Sequence, residues 1–235
     1  MLKKSNKKRA PNRTGKKAPS GASGNHRAGN SAGAGKKSGT RTPTGAKGKP
    51  SAKVALISSK LAYRGPLFDV YTDYVREPEG VASRRDVIRH SGSVVILAVD
   101  ASQNESDPLI VIERQYRHAA GQYMWEVPAG RKEPEEATLA GARRELLEET
   151  GYRAKRWKKL LRFYVSPGFL SEWMEIYLAE DLVSGASKPD EDEYIEHRRI
   201  PLSQALEWIE SGKIIDAKSI VAILLYARRR STAAQ

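Results

Sequence analysis

Apolar and polar positions alternate in three segments that follow residue 53. The segments are VALISSKLAYRG, LFDVYTDYVRE and RRDVIRH, and they are rich in aromatic and β-branched residues. Such alternation is typical of half-buried antiparallel strands. We therefore predict a small N-terminal antiparallel sheet over residues 54–91.

Longer apolar runs follow and indicate a second, larger sheet. SVVILAVD and LIVIERQY are nearly continuous in apolar residues and are separated by the polar turn ASQNESDP. Runs of this kind suit central strands that are covered on both faces. LLRFYVS, WMEIYLA and YIEHRRI predict three further strands, the last of them at an edge of the sheet.

Helical signals stand between and after these strands. One helix is predicted after Pro134, a second over QALEWIESG with Ser203 as its cap and Gly212 as its stop, and a third over AKSIVAILLYARRR with Asp216 as its cap. Mixed strands flanked by helices predict an α+β fold, an α/β/α sandwich, over residues 92–235.

Charge separates the first 53 residues from the rest. This segment contains 15 Lys and Arg and no Asp or Glu, whereas the remaining chain carries 26 basic and 28 acidic residues. The formal net charge of +13 therefore comes from the N-terminal segment. Because it has almost no large apolar residues, it cannot bury enough surface to offset its conformational entropy, and we expect a disordered basic tail over residues 1–53.

Two roles remain open for the tail: nonspecific contact with nucleic acid through charge, or a solubilising extension without a partner. No apolar run after MLKKSNKKRA suits a signal peptide, and no stretch suits a membrane span. The absence of Cys fits a reducing compartment, so we expect the protein in the cytoplasm.

The most informative stretch is GRKEPEEATLAGARRELLEETGY, which runs from Gly130 to Tyr152. Glu145 and Glu149 share one helix face and Glu148 borders it, while Glu136 stands ahead of the helix. Like charges at these spacings destabilise an isolated helix, so a cation should offset them. Either the segment is an acidic surface helix or its oxygen ligands hold Mg²⁺ or Mn²⁺.

The full spacing resembles the Nudix box, G-x5-E-x7-R-E-U-x-E-E-x-G-U, in which U is a bulky apolar residue. Only Tyr152, where an aliphatic residue is usual, departs from it. The resemblance implies a Nudix-type α/β/α sandwich with a mixed sheet, preceded by the small N-terminal sheet. The matching positions are Gly130, Glu136, Arg144, Glu145, Leu146, Glu148, Glu149 and Gly151.

A narrower resemblance covers most of residues 54–228. Three segments are similar to those of ADP-ribose pyrophosphatases: ERQYRHAAGQYMWEVPAG, SPGFLSE and the late acidic segment DEDE, residues 190–193. In addition, Pro167 follows the box by 15 residues. The resemblance implies Mg²⁺ or Mn²⁺ ligands, catalytic residues and substrate-binding residues. The metal ligands are Ala129, Glu145, Glu149 and Glu193, the catalytic residues are Glu191, Glu148 and Arg144, and the substrate-binding residues are Arg84, Arg117 and Glu172.

Some of these roles are more specific than others. Arg144 would orient the glutamates through salt bridges, and Glu191 would be the general base, although Asp190 and Asp192 leave the register of this segment open by one residue. The histidines His90, His118 and His197 have no ligand spacing and are expected to be structural or at the surface.

The function implied by the resemblance is Mg²⁺-dependent hydrolysis of ADP-ribose to AMP and ribose 5-phosphate by a homodimer. Hydrolysis of another nucleoside diphosphate sugar, such as ADP-glucose or GDP-mannose, or of an RNA 5′ end stays open. So does a non-catalytic nucleotide-binding module, although the box retains every carboxylate.

Overall fold

A computed structural model of the chain describes residues 53–185 and 195–233. The predicted basic tail, apart from Lys53, lies outside the described residues, as does the acidic segment that contains Glu191 and Glu193. Predictions that concern these two segments are therefore untested by the fold.

The described residues form ten strands, three α-helices and one short 3₁₀ turn. The strands are β1 (Ala55–Arg64), β2 (Asp69–Arg76), β3 (Ala82–Arg89), β4 (Ser93–Asp100), β5 (Leu109–Arg117), β6 (Gln122–Glu126), β7 (Ala129–Arg131), β8 (Tyr152–Tyr164), β9 (Trp173–Ser184) and β10 (Glu196–Pro201). The helices are α1 (Thr138–Thr150), α2 (Leu202–Glu210) and α3 (Ala217–Ala233).

These strands make two sheets. The first three form an antiparallel sheet in the order β1-β2-β3. The larger sheet has the order β10-β5-β4-β9-β8, with β6 paired to β5 and β7 paired to β4. It is mixed, because β4 runs parallel to β9 and antiparallel to β5 and β7. The predicted mixed sheet and the preceding small antiparallel sheet are both confirmed.

Strand β4 explains why the sheet is covered on both faces. All of its residues from Ser93 to Val99 are buried, and because successive side chains point to opposite faces, the strand contributes to two cores. Val95 and Leu97 pack in the core that includes α2 and α3, whereas Val94 and Ile96 pack in the core that includes α1. The result is the predicted α/β/α sandwich.

Three local features differ from the sequence-based expectations. Ser203 lies inside α2, where its backbone N–H and hydroxyl bond to Asp107 at 2.9 and 2.7 Å, so it does not cap the helix. Residues Ala129–Arg131, which are not among the strands predicted above, form the short strand β7. Strand β8 begins at Tyr152, well before LLRFYVS, because its basic residues find carboxylates on β9, such as Asp181 for Arg156.

Other predicted boundaries agree with the structure. Asp216 accepts hydrogen bonds from the backbone N–H and hydroxyl of Ser219, at 3.0 and 2.5 Å, at the start of α3. Gly151 ends α1 in the left-handed conformation, with φ of 72°. Within the described part of the chain, no helix combines the length and apolarity that crossing a membrane requires.

Leu146 anchors α1 to the sheet, because its side chain is fully buried among residues of β4, β5 and β9. We predict that Leu146→Ala lowers the free energy of unfolding by about 2 to 5 kcal/mol, the range for a buried leucine truncated to leave a cavity. Denaturant unfolding measures this change. Leu224→Ala, at a leucine of α3 that is 46% exposed, is the matched control and should lower it by far less. Equal losses in the two variants would contradict the assigned packing.

Candidate active site

Helix α1 carries its carboxylates from one edge of its buried face outwards, and Glu149 is itself buried. Ala142 and Leu146 are fully buried against the sheet. Glu145, Glu148 and Glu149 lie on neighbouring positions of the last two turns. The helix ends at Gly151, whose N–H bonds to the carbonyl of Leu147 at 2.9 Å. Packing of the apolar face therefore fixes where the carboxylates stand.

Gly130 brings strand β7 against Glu145. A Cβ atom at this position would lie 2.0 Å from Cδ and 2.1 Å from Oε1 of Glu145. Any other residue at position 130 would therefore displace the carboxylate. This close approach explains why a glycine is needed at position 130, where the segment from Gly130 to Tyr152 begins.

Glu149 is tied to the residue before that glycine. Its Oε2 accepts a hydrogen bond of 3.1 Å from the backbone N–H of Ala129, and its side chain is buried. Glu145 and Glu149 thus contact consecutive residues of β7. The structure brings together three of the four residues that the sequence predicts as metal ligands.

Arg144 is the cation at the centre of this carboxylate group. Its Nη1 lies 2.8 Å from Glu145 and 2.9 Å from Glu148, and its Nη2 lies 3.2 Å from Glu136. Hydrogen bonds to Glu136, and then the charges around it, raise the pKa of the guanidinium. The same contacts lower the pKa of Glu136. These bonds give Arg144 the geometry of a residue that orients the glutamates.

A cavity of 250 Å³ lies beside β7 and is lined by several of the residues that the sequence predicts for the site. Ala129, Arg117 and Glu172 all line it, although they are distant in the sequence. Three of its lining residues are cationic and only one is acidic, so it suits an anionic ligand. The complete lining is Leu67, His90, Ser93, Arg117, Ala129, Gly130, Arg131, Glu172, Met174 and Lys218.

Arg117 is held in this cavity by a buried carboxylate. Its Nε and Nη2 donate to the two oxygens of Glu126 at 2.8 and 2.7 Å. Lys218 also bonds to Glu126 and lies 3.1 Å from Asp216. Burial opposes ionisation of Glu126, but the hydrogen bonds from Arg117 and the charge of Lys218 outweigh it and lower its pKa. The two cations are therefore fixed in position at the cavity wall.

Glu172 is the one acidic residue among those that line the same cavity. Its Oε1 accepts a hydrogen bond of 2.6 Å from the hydroxyl of Ser93 and lies 3.6 Å from Nδ1 of His90. That nitrogen of His90 accepts a hydrogen bond from the N–H of Gly92 at 3.1 Å. A carboxylate held in this way can accept hydrogen bonds from hydroxyl groups of a ligand.

Glu113 adds a buried carboxylate behind the cavity. It is fully buried on β5, opposite Glu126 on β6, and neither of its oxygens meets a hydrogen-bond donor among the described residues. Burial, and then the charge of Glu126, raise its pKa to about 8. Glu149 is a further close neighbour. Glu113 therefore lies close to both Glu126 and Glu149 and is mostly protonated near neutral pH.

Not every predicted residue is brought to this place. Arg84 lies on β3, with its side chain 58% exposed and 3.0 Å from Asp86, and it does not line the cavity. Glu191 and Glu193 lie outside the described residues. Among the residues that are described, no three carboxylate or imidazole side chains converge to enclose an ion by themselves.

Comparison with known proteins identifies the family. The family model described as NUDIX domain matches residues 89–220, more than half of the chain. The chain belongs to the Nudix family. The predicted resemblance is thereby confirmed, and the Gly130 to Tyr152 segment is the Nudix box of this chain.

Individual relatives narrow the comparison. The chain is 36% identical to the ADP-ribose pyrophosphatase of Bacillus subtilis over 181 residues, which cover 76% of this chain and 95% of that protein. It is 34% identical to the methanol dehydrogenase activator of Bacillus methanolicus, over 71% of this chain and 89% of that protein. A crystal structure of an ADP compounds hydrolase superposes with a TM-score of 0.68 at 22% identity, covering 79% of this chain and 98% of that one, and supports the fold.

Sequence reasoning missed several residues of this site. Lys218 and Ser93 line the cavity, and Glu113 and Glu126 support it from behind. The sequence carried one signal, because ERQYR places a glutamate inside an otherwise apolar strand. His90, expected to be structural or at the surface, makes a backbone hydrogen bond and also lines the cavity.

The raised pKa of Glu113 predicts a pH dependence of stability. The group has an ordinary pKa near 4.5 when unfolded and about 8 when folded, so folding takes up a proton between these pH values. This contribution lowers the free energy of unfolding as the pH rises from about 4.5 to about 8, by at most about 1.4 kcal/mol per pH unit. We predict that Glu113→Gln removes it, so that the variant gains stability relative to the wild type as the pH rises.

Denaturant unfolding at several pH values, with a chelator present, measures this difference. The exposed Glu105→Gln is the control and should track the wild type at every pH. A constant difference between Glu113→Gln and the wild type from pH 5 to pH 8 would show that Glu113 ionises normally in the folded protein.

Proposed function

We propose that this protein hydrolyses the pyrophosphate bond of ADP-ribose to AMP and ribose 5-phosphate in a reaction that depends on a divalent metal ion. The observation that carries the proposal is that Glu145 and Glu149 contact Gly130 and Ala129, two residues in the wall of the cavity. The same cavity is lined by Arg117, Arg131 and Lys218. Carboxylates for a metal ion thus stand beside cations for phosphate. The similarity to the Bacillus subtilis ADP-ribose pyrophosphatase supports the choice of substrate.

The donor set fits a hard divalent cation. The carbonyl of Ala129 and the carboxylates of Glu145 and Glu149 would hold it, with Glu193 as a further ligand from the acidic segment. The two buried oxygens of Glu113, beside Glu149, meet no hydrogen-bond donor among the described residues, so a cation held at Glu149 would also stabilise the ionised form of Glu113. Oxygen ligands favour Mg²⁺ or Mn²⁺, and such an ion, when bound, lowers the pKa of water and neutralises phosphoryl charge.

The other residues would prepare the substrate for attack. Arg144 orients Glu145 and Glu148 through its salt bridges. Arg117, fixed by Glu126, would donate its remaining N–H groups to the diphosphate. Glu172 would accept hydrogen bonds from the terminal ribose. Glu191 would take the proton of the water that attacks phosphorus.

The described ends of the acidic segment make a role for Glu191 and Glu193 geometrically feasible. Gly185, which precedes the segment, packs against the backbone of Gly151, the residue that ends α1. After the segment, the ring of His197 lies 6.2 Å from that of Tyr152. Both ends therefore stand near the C-terminal turn of α1, which carries Glu148 and Glu149. A segment of nine residues can span at most roughly 30 Å, which is long enough to reach from either end to the glutamates of that turn.

The size of the site suits a ligand with two phosphates and two sugars. A second cavity of 320 Å³ shares Leu67, His90 and Arg131 with the first and adds Arg89 and Lys132. The two cavities together offer an extended, cation-lined space. Drug-sized ligands occupy cavities of roughly 300 to 1,000 Å³.

A homodimer is part of the proposal. The sheet β1-β2-β3 leaves Leu56, Ile57 and Tyr74 exposed, at 59%, 48% and 46% of their surface. A three-stranded sheet with so little cover in its own chain gains stability when a second copy packs on it. Such packing would also place the exposed Arg84 of one subunit against the other subunit, where it could reach the substrate.

Substrate preference tests the proposed reaction. Full-length protein and a variant that lacks residues 1–53 are assayed with Mg²⁺ on ADP-ribose, ADP-glucose, GDP-mannose and a 5′-triphosphate RNA. We predict the highest kcat/KM on ADP-ribose for both proteins, because the residues that support the proposal lie after residue 53. A higher value on any other substrate would replace ADP-ribose, and no hydrolysis of any of them would favour a binding module.

The acidic segment supplies a second test. Glu191→Gln should lower kcat by about two to four powers of ten, the effect of removing a general base, and should leave the affinity for Mn²⁺ nearly unchanged. Asp190→Asn and Asp192→Asn are matched controls that remove the same charge at neighbouring positions. If one of these controls loses the activity and Glu191→Gln does not, the register of the segment is shifted by one residue.

The oligomeric state tests the dimer. We predict that the wild type sediments as a dimer and that the double variant Leu56→Asp/Ile57→Asp sediments as a monomer with reduced kcat/KM, since charges on the exposed sheet oppose its burial. Analytical ultracentrifugation measures both. Leu224→Asp places a charge at an exposed leucine of α3 and should remain dimeric. A monomeric, fully active wild type would exclude the dimer.

A further inference from the structure

A groove of 430 Å³ lies between the outer side of α1 and strand β8. Three residues of each element line it, namely Arg143, Arg144, Leu147, Arg153, Ala154 and Trp157. None of them lines the 250 Å³ cavity described above. The groove is therefore a separate concave surface, and Arg144 is the one lining residue that the proposed hydrolysis also uses.

Two arginines give the groove a positive charge that no described carboxylate neutralises. Among the residues that the structure describes, no carboxylate oxygen forms a salt bridge with Arg143 or Arg153. Nearby cations behave differently, because Arg144 contacts three glutamates and Arg156 contacts Asp181. Two guanidinium groups without a described carboxylate partner on one groove are suited to a phosphate, whose oxygens accept their paired N–H donors.

Trp157 gives the groove a flat aromatic wall. Its Nε1 donates to the carbonyl of Ala154 at 3.0 Å, which fixes the orientation of the indole. The guanidinium carbon of Arg143 lies 5.9 Å from the ring centroid, so charge and aromatic surface stand side by side. Leu147 and Ala154 add apolar surface. A fixed indole can stack on any nucleobase, because every base has a flat aromatic face.

From these observations we propose that the groove between α1 and β8 is a second binding site, and that it takes a mononucleotide. The base stacks on Trp157, and the phosphate bonds to Arg143 and Arg153. The two features needed for this ligand, an aromatic face and two guanidinium groups, occur together on the six lining residues. The proposal does not depend on the identity of the hydrolysed substrate.

Arg144 links this groove to the carboxylates of α1. It lines the groove and bonds to Glu145 and Glu148. A phosphate in the groove would share Arg144 with these glutamates, which gives a bound nucleotide a direct physical route to the proposed metal ligands.

The test is calorimetric titration of the full-length protein with AMP at about 0.2 M salt, where charges separated by more than a Debye length are largely screened. Mg²⁺ and a saturating methylene-bridged ADP-ribose, which cannot be hydrolysed, occupy the diphosphate cavity. We expect AMP to bind one site under these conditions. Adenosine and inorganic phosphate should each bind at least about tenfold more weakly, since each lacks one of the two contacts.

Variants locate the site. Arg143→Gln/Arg153→Gln and Trp157→Leu should each weaken AMP binding at least about tenfold, because the first removes the phosphate donors and the second the stacking surface. Lys155→Gln/Lys158→Gln is the matched control, since it removes two exposed charges of β8 outside the groove and should leave binding unchanged. Thermal unfolding checks that each variant is folded, and the arginine pair alone decides the test if Trp157→Leu is not.

Several results would overturn the proposal. AMP binding that the methylene-bridged analogue abolishes would place the nucleotide in the diphosphate cavity alone. Equal losses in the arginine pair and the lysine pair would indicate diffuse charge, and equal affinity for AMP and inorganic phosphate would exclude stacking. The groove variants keep the two proposals separate. If ADP-ribose is not the substrate, the analogue leaves the diphosphate cavity open, but the arginine pair and Trp157→Leu still decide whether AMP binds in the groove.

Discussion

Mutual repulsion among the carboxylates of α1 is the constraint around which the described structure is built. Like charges at these helical spacings are unfavourable. The helix holds them together because its apolar face packs on the sheet and because Arg144 bridges two of them, Glu145 and Glu148, as well as Glu136 ahead of the helix. Gly130 then lets β7 approach so closely that no side chain fits between the strand and Glu145. A divalent cation bound beside these carboxylates would relieve their repulsion.

The large sheet aligns the rest of the site with that place. Strand β4 pairs with β7, which carries Ala129 and Gly130, and with β9, which follows Glu172. Strands β5 and β6 bring Arg117 and Glu126 to the same cavity, and α3 adds Lys218. Residues far apart in sequence meet because the mixed sheet places the ends of their strands side by side. The cation-lined cavity is therefore a product of strand order.

The sequence predicted those parts whose signal is local. Continuous apolar runs predicted β4 and β5, and the fixed spacing from Gly130 to Gly151 predicted α1 and its carboxylates. Lys218 and Ser93 carried no such signal, because their roles in the site depend on contacts with residues far away in the sequence, Glu126 and Glu172. The start of β8 was missed for a similar reason. In the sequence alone, its basic residues are typical of a polar loop. In the fold they form a strand because carboxylates of β9 lie opposite them.

Mn²⁺ binding, followed by electron paramagnetic resonance of the free ion, tests the central claim most directly. The claim is that α1 and β7 together hold a divalent cation through Glu145 and Glu149. The account predicts that Glu145→Gln and Glu149→Gln each weaken Mn²⁺ binding at least about tenfold, because each removes a charged ligand from the ion. Glu210→Gln, an exposed glutamate of α2, should bind as the wild type does. Folded variants at 145 and 149 with wild-type Mn²⁺ affinity would contradict the account.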